Sequence, residues 1–378
     1  MECPGGYLTV SGRCNSNYAP LSGTDQTPLR NDTLYFLYPG QLDTQTGGYH
    51  YDRRLIRELQ RLGLNVETRS LSAQFPFPDA RALEDARKVF AALPDGAAVI
   101  VDGLAFGVLD EVACAEAQRL RLIALCHHPL ALESGLDPVQ QQRFQVSEQR
   151  ALHAARRVLV TSEHTRETVL TQFAVPADQV IVARPGTDPS DFAPCDGNPL
   201  RLLTVATLTR RKAHDVLTDA LAPLADLPWQ ARFVGGRDFD PAWSEQLQGQ
   251  VNRLHLQDRI TLVGAVDELA PEFQNADLFV LPSRYEGYGM VFAEALAAGL
   301  PVVAARAGAV PDVVPESAGL FVQPDDTTAL TSALHRLLTQ ASLRRRLQAG
   351  ARQAAAHLPT WADTARRVSS LIEDLQQP

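Results

Sequence analysis

No stretch of this chain approaches the ~20 consecutive apolar residues needed to cross a bilayer, which argues against a transmembrane helix. Basic charge is in short supply too. There are 35 Lys and Arg against 44 Asp and Glu, a formal net charge of -9, and the pI is about 5.5. A general affinity for nucleic acid is therefore not expected. Cysteine is sparse, odd in number and scattered, at positions 3, 14, 114, 126 and 195. A disulfide framework or a zinc site needs closer grouping, so reduced thiols in a cytoplasmic protein are the expectation. The opening MECPGGYLTVSGRC lacks the basic start and apolar run of a secretory leader.

What is present is ordinary for a soluble globular protein, with 45% hydrophobic and 21% charged residues. At 378 residues the chain is longer than one core usually supports, and two domains are expected. Residues 1–30 form a polar tail without periodicity. Organised chain begins at Thr33-Leu-Tyr-Phe-Leu-Tyr38, a buried-strand pattern. A Gly47-Gly48 step then leads into an amphipathic helix with Leu55, Leu59 and Leu62 on one face, closed by Gly63. Further strands are read at 98–101, 121–125, 157–160 and 180–182, mostly separated by helical stretches.

After the polar, Pro-rich 193–199, a second series follows with strands at 200–205, 231–234, 259–263, 278–281 and 301–304. Alternation of this kind predicts an α/β fold with parallel sheets covered by helices. The expected plan is an N-terminal Rossmann-like domain (31–192), a linker (193–199), a C-terminal Rossmann-like domain (200–358) and a final helix (359–378) packing back on the first domain. Ligands of such sheets bind beyond the carboxyl ends of the strands, here in a cleft between two domains.

The stretch SRYEGYGMVFAEALAAGLPVVA sets Glu286 and Glu294 eight residues apart. Glu286 falls in the loop leaving the strand 278–281, and Glu294 about one turn into a helix beginning near Met290. Gly287 and Gly289, flanking Tyr288, let the loop backbone approach a ligand closely, and free N–H groups at the helix start favour anionic oxygens. A phosphate with a hydroxyl-binding carboxylate on either side fits that layout.

With its continuation through GLPVVAARAGAVPDVV and GLFVQPDD, this block resembles the E-x7-E region of the family-4 retaining glycosyltransferases of GT-B fold. The resemblance covers roughly 33–375 and is most specific in the second half. It implies a nucleotide diphosphate sugar (UDP- or GDP-sugar) as donor, no cofactor, and hexosyl transfer to an acceptor hydroxyl, metal-independent and with retained configuration. Glu286 would bind hydroxyls of the transferred sugar and Glu294 the ribose. Lys212, in VATLTRRKAHDVL, would neutralise the leaving diphosphate. Gly47 and Gly48 would let the first domain approach the diphosphate, His127 would face the donor sugar, and the backbone around Val263-Gly264 would receive the base.

One departure is plain: relatives commonly read G-R-L where this chain has Ala206-Thr207-Leu208. A guanidinium grips two oxygens and threonine cannot, so either Arg210 or Arg211 substitutes, with Arg211 favoured, or the clamp is weaker.

His127-His128 has no third ligand at metal-site spacing. Asp238-Phe-Asp240 has a D-x-D form, but the following Pro241 and helix make entry capping the better explanation. Gly235-Gly236 follows a strand without the dinucleotide fingerprint. Arg53, Arg54, Arg57 and Arg61 stripe the first helix, either merely solvated or docking to an anionic membrane surface or acceptor. Alternatives to the transferase reading are a phosphorylase or nucleotide-sugar epimerase of the same fold, an inactive nucleotide-sugar binding protein, and an oxidoreductase suggested by fold alone.

Overall fold

The computed structural model describes residues 33–133 and 135–376. The 1–30 tail lies outside them. The first sheet is formed by β1 (Leu34–Pro39), β2 (Val66–Leu71), β3 (Ala98–Asp102), β4 (Arg121–Cys126), β5 (Arg157–Val160) and β6 (Val180–Val182), and its order is β2-β1-β3-β4-β5-β6. The second is formed by β7 (Leu200–Val205), β8 (Trp229–Val234), β9 (Ile260–Gly264), β10 (Leu278–Leu281), β11 (Val302–Ala305) and β12 (Gly319–Val322), in the order β12-β11-β10-β7-β8-β9. Neighbouring strands are parallel throughout both sheets.

Period-two alternation explains why each sheet has two cores. In β3, Val99 and Val101 enter the cluster that holds Phe90, Phe106 and Phe144. Ala98 and Ile100 point the other way, toward Tyr51, Leu55 and the C-terminal helix. β10 repeats the device: Leu278 and Val280 join Trp229 and Phe233 on one face, Phe279 and Leu281 join Phe292 and Leu296 on the other. Strands buried on both faces carry near-continuous apolar runs.

Two strands, β2 and β12, were not read from the sequence, and both are sheet edges. Residues 67–70 of β2, Glu-Thr-Arg-Ser, are not buried, so an edge position removes the apolar signature. The Trp361–Gln376 helix places Trp361, Ala365, Val368 and Ile372 against Leu55 and Leu59 of the helix Gly47–Arg61, so the end of the chain packs on the first sheet. Residues 193–199 contain no helix or strand, but they are not loose: Ala193 N donates to Ala298 O and Gly197 N to Asp277 Oδ1, both at 2.8–2.9 Å.

Candidate active site

A cleft of about 890 Å³ opens between the carboxyl ends of the two sheets. Its size suits a nucleotide-sized ligand. All the candidate residues line it except Val263 and Gly264. Those two close β9, and Gly264 O is taken by Gly235 N at 2.8 Å. The wall at that end is made instead by Ala265, Val266 and Leu269, with Gly235 and Gly236 beside them.

The 207–217 loop is shaped so that Lys212 points inward. A single 3-10 turn, Arg210–Lys212, meets the helix His214–Leu221 through Ala213, whose φ of +54° reverses the chain direction. Arg284 then locks this loop to the one leaving β10. Its backbone N donates to Arg211 O at 2.8 Å, and its guanidinium holds both oxygens of Asp215, Nη2 to Oδ2 at 2.9 Å and Nη1 to Oδ1 at 3.2 Å.

With the two loops fixed, Lys212 Nζ lies 2.7 Å from Glu286 Oε1, which also accepts from Ser283 Oγ at 2.6 Å. Arg211 Nη1 approaches the other oxygen of Glu286 at 3.6 Å. Burial disfavours the Glu286 carboxylate, but Lys212 and Arg211 outweigh it and hold the group below its usual range. Burial likewise lowers Lys212, with Glu286 opposing. Arg210 turns elsewhere, its guanidinium 4.3 Å from the Trp243 ring centroid and bonded to Gln246. Arg211 is thus the arginine beside Glu286.

Glu294 sits in the helix Met290–Ala297 with Oε2 buried and unpartnered. Burial, helped by Asp188, raises its pKa to about 7. A carboxylate kept from water without a donor is costly unless something else supplies one.

The glycines serve a purpose the sequence did not disclose. A Cβ on Gly287 would lie 2.2 Å from His127 O, so Gly287 lets the second half touch backbone of the first rather than only a ligand. Ser162 Oγ and Thr165 Oγ1 donate to Gly287 O at 2.6 and 3.2 Å across the same junction. Gly289, at φ +84°, is the left-handed N-cap from which the Met290–Ala297 helix starts. Gly47 and Gly48 are the first residues of their helix. A Cβ on Gly47 would stand 3.9 Å from Met290 Cε, and one on Gly48 would stand 3.4 Å from His127 Cδ2.

His127 does have partners, though sequence spacing hid them. Asp52, one turn into the helix Gly47–Arg61, and Asp102, at the end of β3, bring carboxylate oxygens to 3.1 and 3.5 Å from His127 Nε2. These atoms lie within 4.8 Å of one another. Donation by the ring N–H accounts for the arrangement. Burial disfavours the charged ring, yet the two carboxylates override it and raise its pKa to about 10. Asp52 itself is pushed up to about 7 by burial. A strand-terminal aspartate after Ala-Val-Ile-Val was the available signal for Asp102; nothing in the sequence marked Asp52.

Asp240 caps the helix Pro241–Arg253, accepting from Trp243 N at 3.0 Å. The arginine stripe is largely dismantled. Arg53 donates to the carbonyls of Leu42 and Thr44, Arg54 pairs with Asp188 and lies 4.9 Å from the Trp361 ring centroid, and Arg61 bonds Glu58 at 2.6 Å. Only Arg57 of the four is left exposed without a partner of this kind among the described residues, which is too little for a basic face. No helix among the described residues is long and apolar enough to cross a membrane.

Residues 199–340 match the profile of the family described as Glycosyl transferases group 1. That stretch is a group 1 glycosyltransferase domain. The D-inositol 3-phosphate glycosyltransferase of Stackebrandtia nassauensis is 34% identical over 232 residues, 55% of this chain and 52% of that protein. The matches to the first curated relatives span about half to two thirds of their length. Among solved structures, sucrose-phosphate synthase from Thermosynechococcus elongatus superposes with a TM-score of 0.77 at 24% identity, over 91% of this chain and 99% of that one. The Anabaena HepE protein in complex with UDP and glucose gives 0.72 at 18% identity, over 90% and 99%. These likenesses establish the GT-B architecture.

Proposed function

We propose that the cleft transfers a hexosyl group from a nucleotide diphosphate sugar to an acceptor hydroxyl with retention of anomeric configuration. The observation that carries this reading is the convergence, in one cleft, of the Lys212–Glu286 pair with the unpartnered buried oxygen of Glu294. Ribose hydroxyls would give that oxygen the donors it lacks. Lys212, Arg211 and the N–H groups opening the Met290–Ala297 helix offer positive potential for a diphosphate. The oxygen of Glu286 not shared with Ser283 and Lys212 remains for a sugar hydroxyl.

In the reaction, the bond from the anomeric carbon to the β-phosphate oxygen breaks. The acceptor oxygen bonds to that carbon on the same face, and its proton passes to the departing phosphate. No covalent sugar–enzyme intermediate is needed. Lys212 and Arg211 stabilise the negative charge that grows on the diphosphate, and a fixed cation facing developing charge is worth most where water is excluded. His127, held by Asp52 and Asp102 at the junction of the halves, presents a cationic ring to the same space. Positioning of donor and acceptor supplies the rest of the rate. Metal-independent turnover is part of this reading.

The test is a panel of nucleotide sugars read by thermal stabilisation and by nucleoside diphosphate release. A donor that stabilises the protein and is consumed only with an acceptor, with α-donor giving α-product, supports the proposal. Unchanged turnover in both Glu286→Gln and Lys212→Ala would sink it.

A further inference from the structure

The wall of the cleft contributed by the first sheet carries information about the acceptor. Its acidic side chains stand out: Asp102 reaches the cleft from the end of β3, and Glu133 lines it from the segment after β4. Asp52 stands behind His127 and adds a third carboxyl group. Arg53 is the only arginine or lysine among the described residues of that wall, and its Nη1 is turned to the Leu42 and Thr44 carbonyls. His127 is enclosed by two carboxylates, so that trio carries no net positive charge.

The other two histidines of the wall are neutral near pH 7. Burial drives both His50 and His128 down to about 4, with Arg53 and Arg54 adding for His50 and Arg211 for His128. Burial, and after it the charges of Asp102 and Asp52, raise the Tyr49 hydroxyl to about 12. The cleft's remaining cations, Arg210, Arg211 and Lys212, belong to the second half. Arg211 Nε is also 3.2 Å from Glu133 Oε1, and the donor diphosphate makes the first claim on Arg211 and Lys212.

Resting on the glycosyl-transfer reading, we infer that the acceptor presents an uncharged hydroxyl-bearing group to this wall, a sugar or polyol without a phosphate ester. A phosphate monoester would bring nearly two negative charges beside Asp102 and Glu133, with Arg53, already held through Nη1, as the one arginine or lysine of the wall to meet them. Like charges brought together in a partly dry site are strongly unfavourable. In this the chain would differ from the relative named for D-inositol 3-phosphate, with which it shares 34% identity over 232 residues.

The experiment separates this inference from the reading it rests on. Full-length protein is first titrated with UDP and GDP; absence of any stabilisation defeats the glycosyl-transfer reading, whatever the acceptor. With the bound nucleotide saturating, inorganic phosphate then probes the remaining cleft by calorimetry and by crystallography. No phosphate site on the first-sheet wall is expected, and a site bridged by Arg53 and lost in Arg53→Ala overturns the inference. With the donor established, inositol is compared with inositol 3-phosphate, and fructose with fructose 6-phosphate. For whichever pair is turned over, kcat/KM should favour the neutral member by about a hundredfold. Equal or better use of the phosphate ester overturns the inference.

Discussion

Lys212 Nζ is 2.7 Å from Glu286 Oε1, with the two side chains only 13% and 6% exposed. The pair joins two loops that leave different strands of one sheet, and each partner offsets the other's buried charge, with Arg211 assisting at Glu286. Removing one member therefore affects folding as well as catalysis.

Glu286→Gln should cost about 3–5 kcal/mol of stability, because it leaves Lys212 buried without its counter-charge. Turnover should fall about 10²–10³-fold. Chemical denaturation with a matched kinetic assay checks both. The sign with pH follows from the lowered carboxyl pKa. Its contribution is present above the unfolded value near 4.5 and is lost as pH falls through the folded one. The gap between wild type and variant should close in acid.

Glu294→Gln should do the reverse to the ligand-free protein. A carboxyl raised to about 7 costs stability as pH climbs from 4.5 toward 7, and the cost is complete above that. The variant should gain about 1–3 kcal/mol at pH 8 and little at pH 4, while nucleotide affinity falls about 10- to 100-fold. Melting curves at the two pH values, with and without nucleotide, read both effects.

Gly287→Ala tests the close approach between the halves. The new methyl would meet His127 O at 2.2 Å, and neither backbone can yield cheaply. We expect kcat/KM to drop by about 100-fold through misalignment, with each half still folded. Small-angle scattering should report a more open molecule. Unchanged scattering and activity would mean that the contact is not needed.

Asp52→Asn should lower the pKa of His127, now near 10, because one of its two carboxylates is lost. Ring nitrogen chemical shifts followed from pH 5 to 11 measure it. A raised histidine pKa adds stability that is full below the unfolded value of 6.5 and disappears as pH passes 10. In the variant that loss should begin at lower pH. Chelation with EDTA should leave turnover of the wild type unchanged.

The two sheets were largely legible because strands buried on both faces announce themselves as apolar runs. Two of the four edges were not: β2 is largely polar, and β12 is only four residues, Gly319-Leu-Phe-Val322, too short a run to stand out, whereas the edge strands β6 and β9 were read. In the cleft, Glu286 and Glu294 were readable because strand, glycine loop and helix stand in sequence next to one another, whereas Lys212 was singled out only by the family resemblance of its loop. Asp52 and Asp102 were not, since each meets His127 only after β1, β3 and β4 have been laid side by side. Val263 and Gly264 missed the cleft wall by one or two residues, because Gly264 ends its strand bonded to Gly235.

The most direct measurement is a crystal structure of the protein with a nucleotide diphosphate sugar. The account predicts the diphosphate against Lys212 and the start of the Met290–Ala297 helix, ribose hydroxyls on Glu294, and a sugar hydroxyl on Glu286. A donor seated elsewhere, with Glu294 Oε2 still lacking a partner, would contradict it.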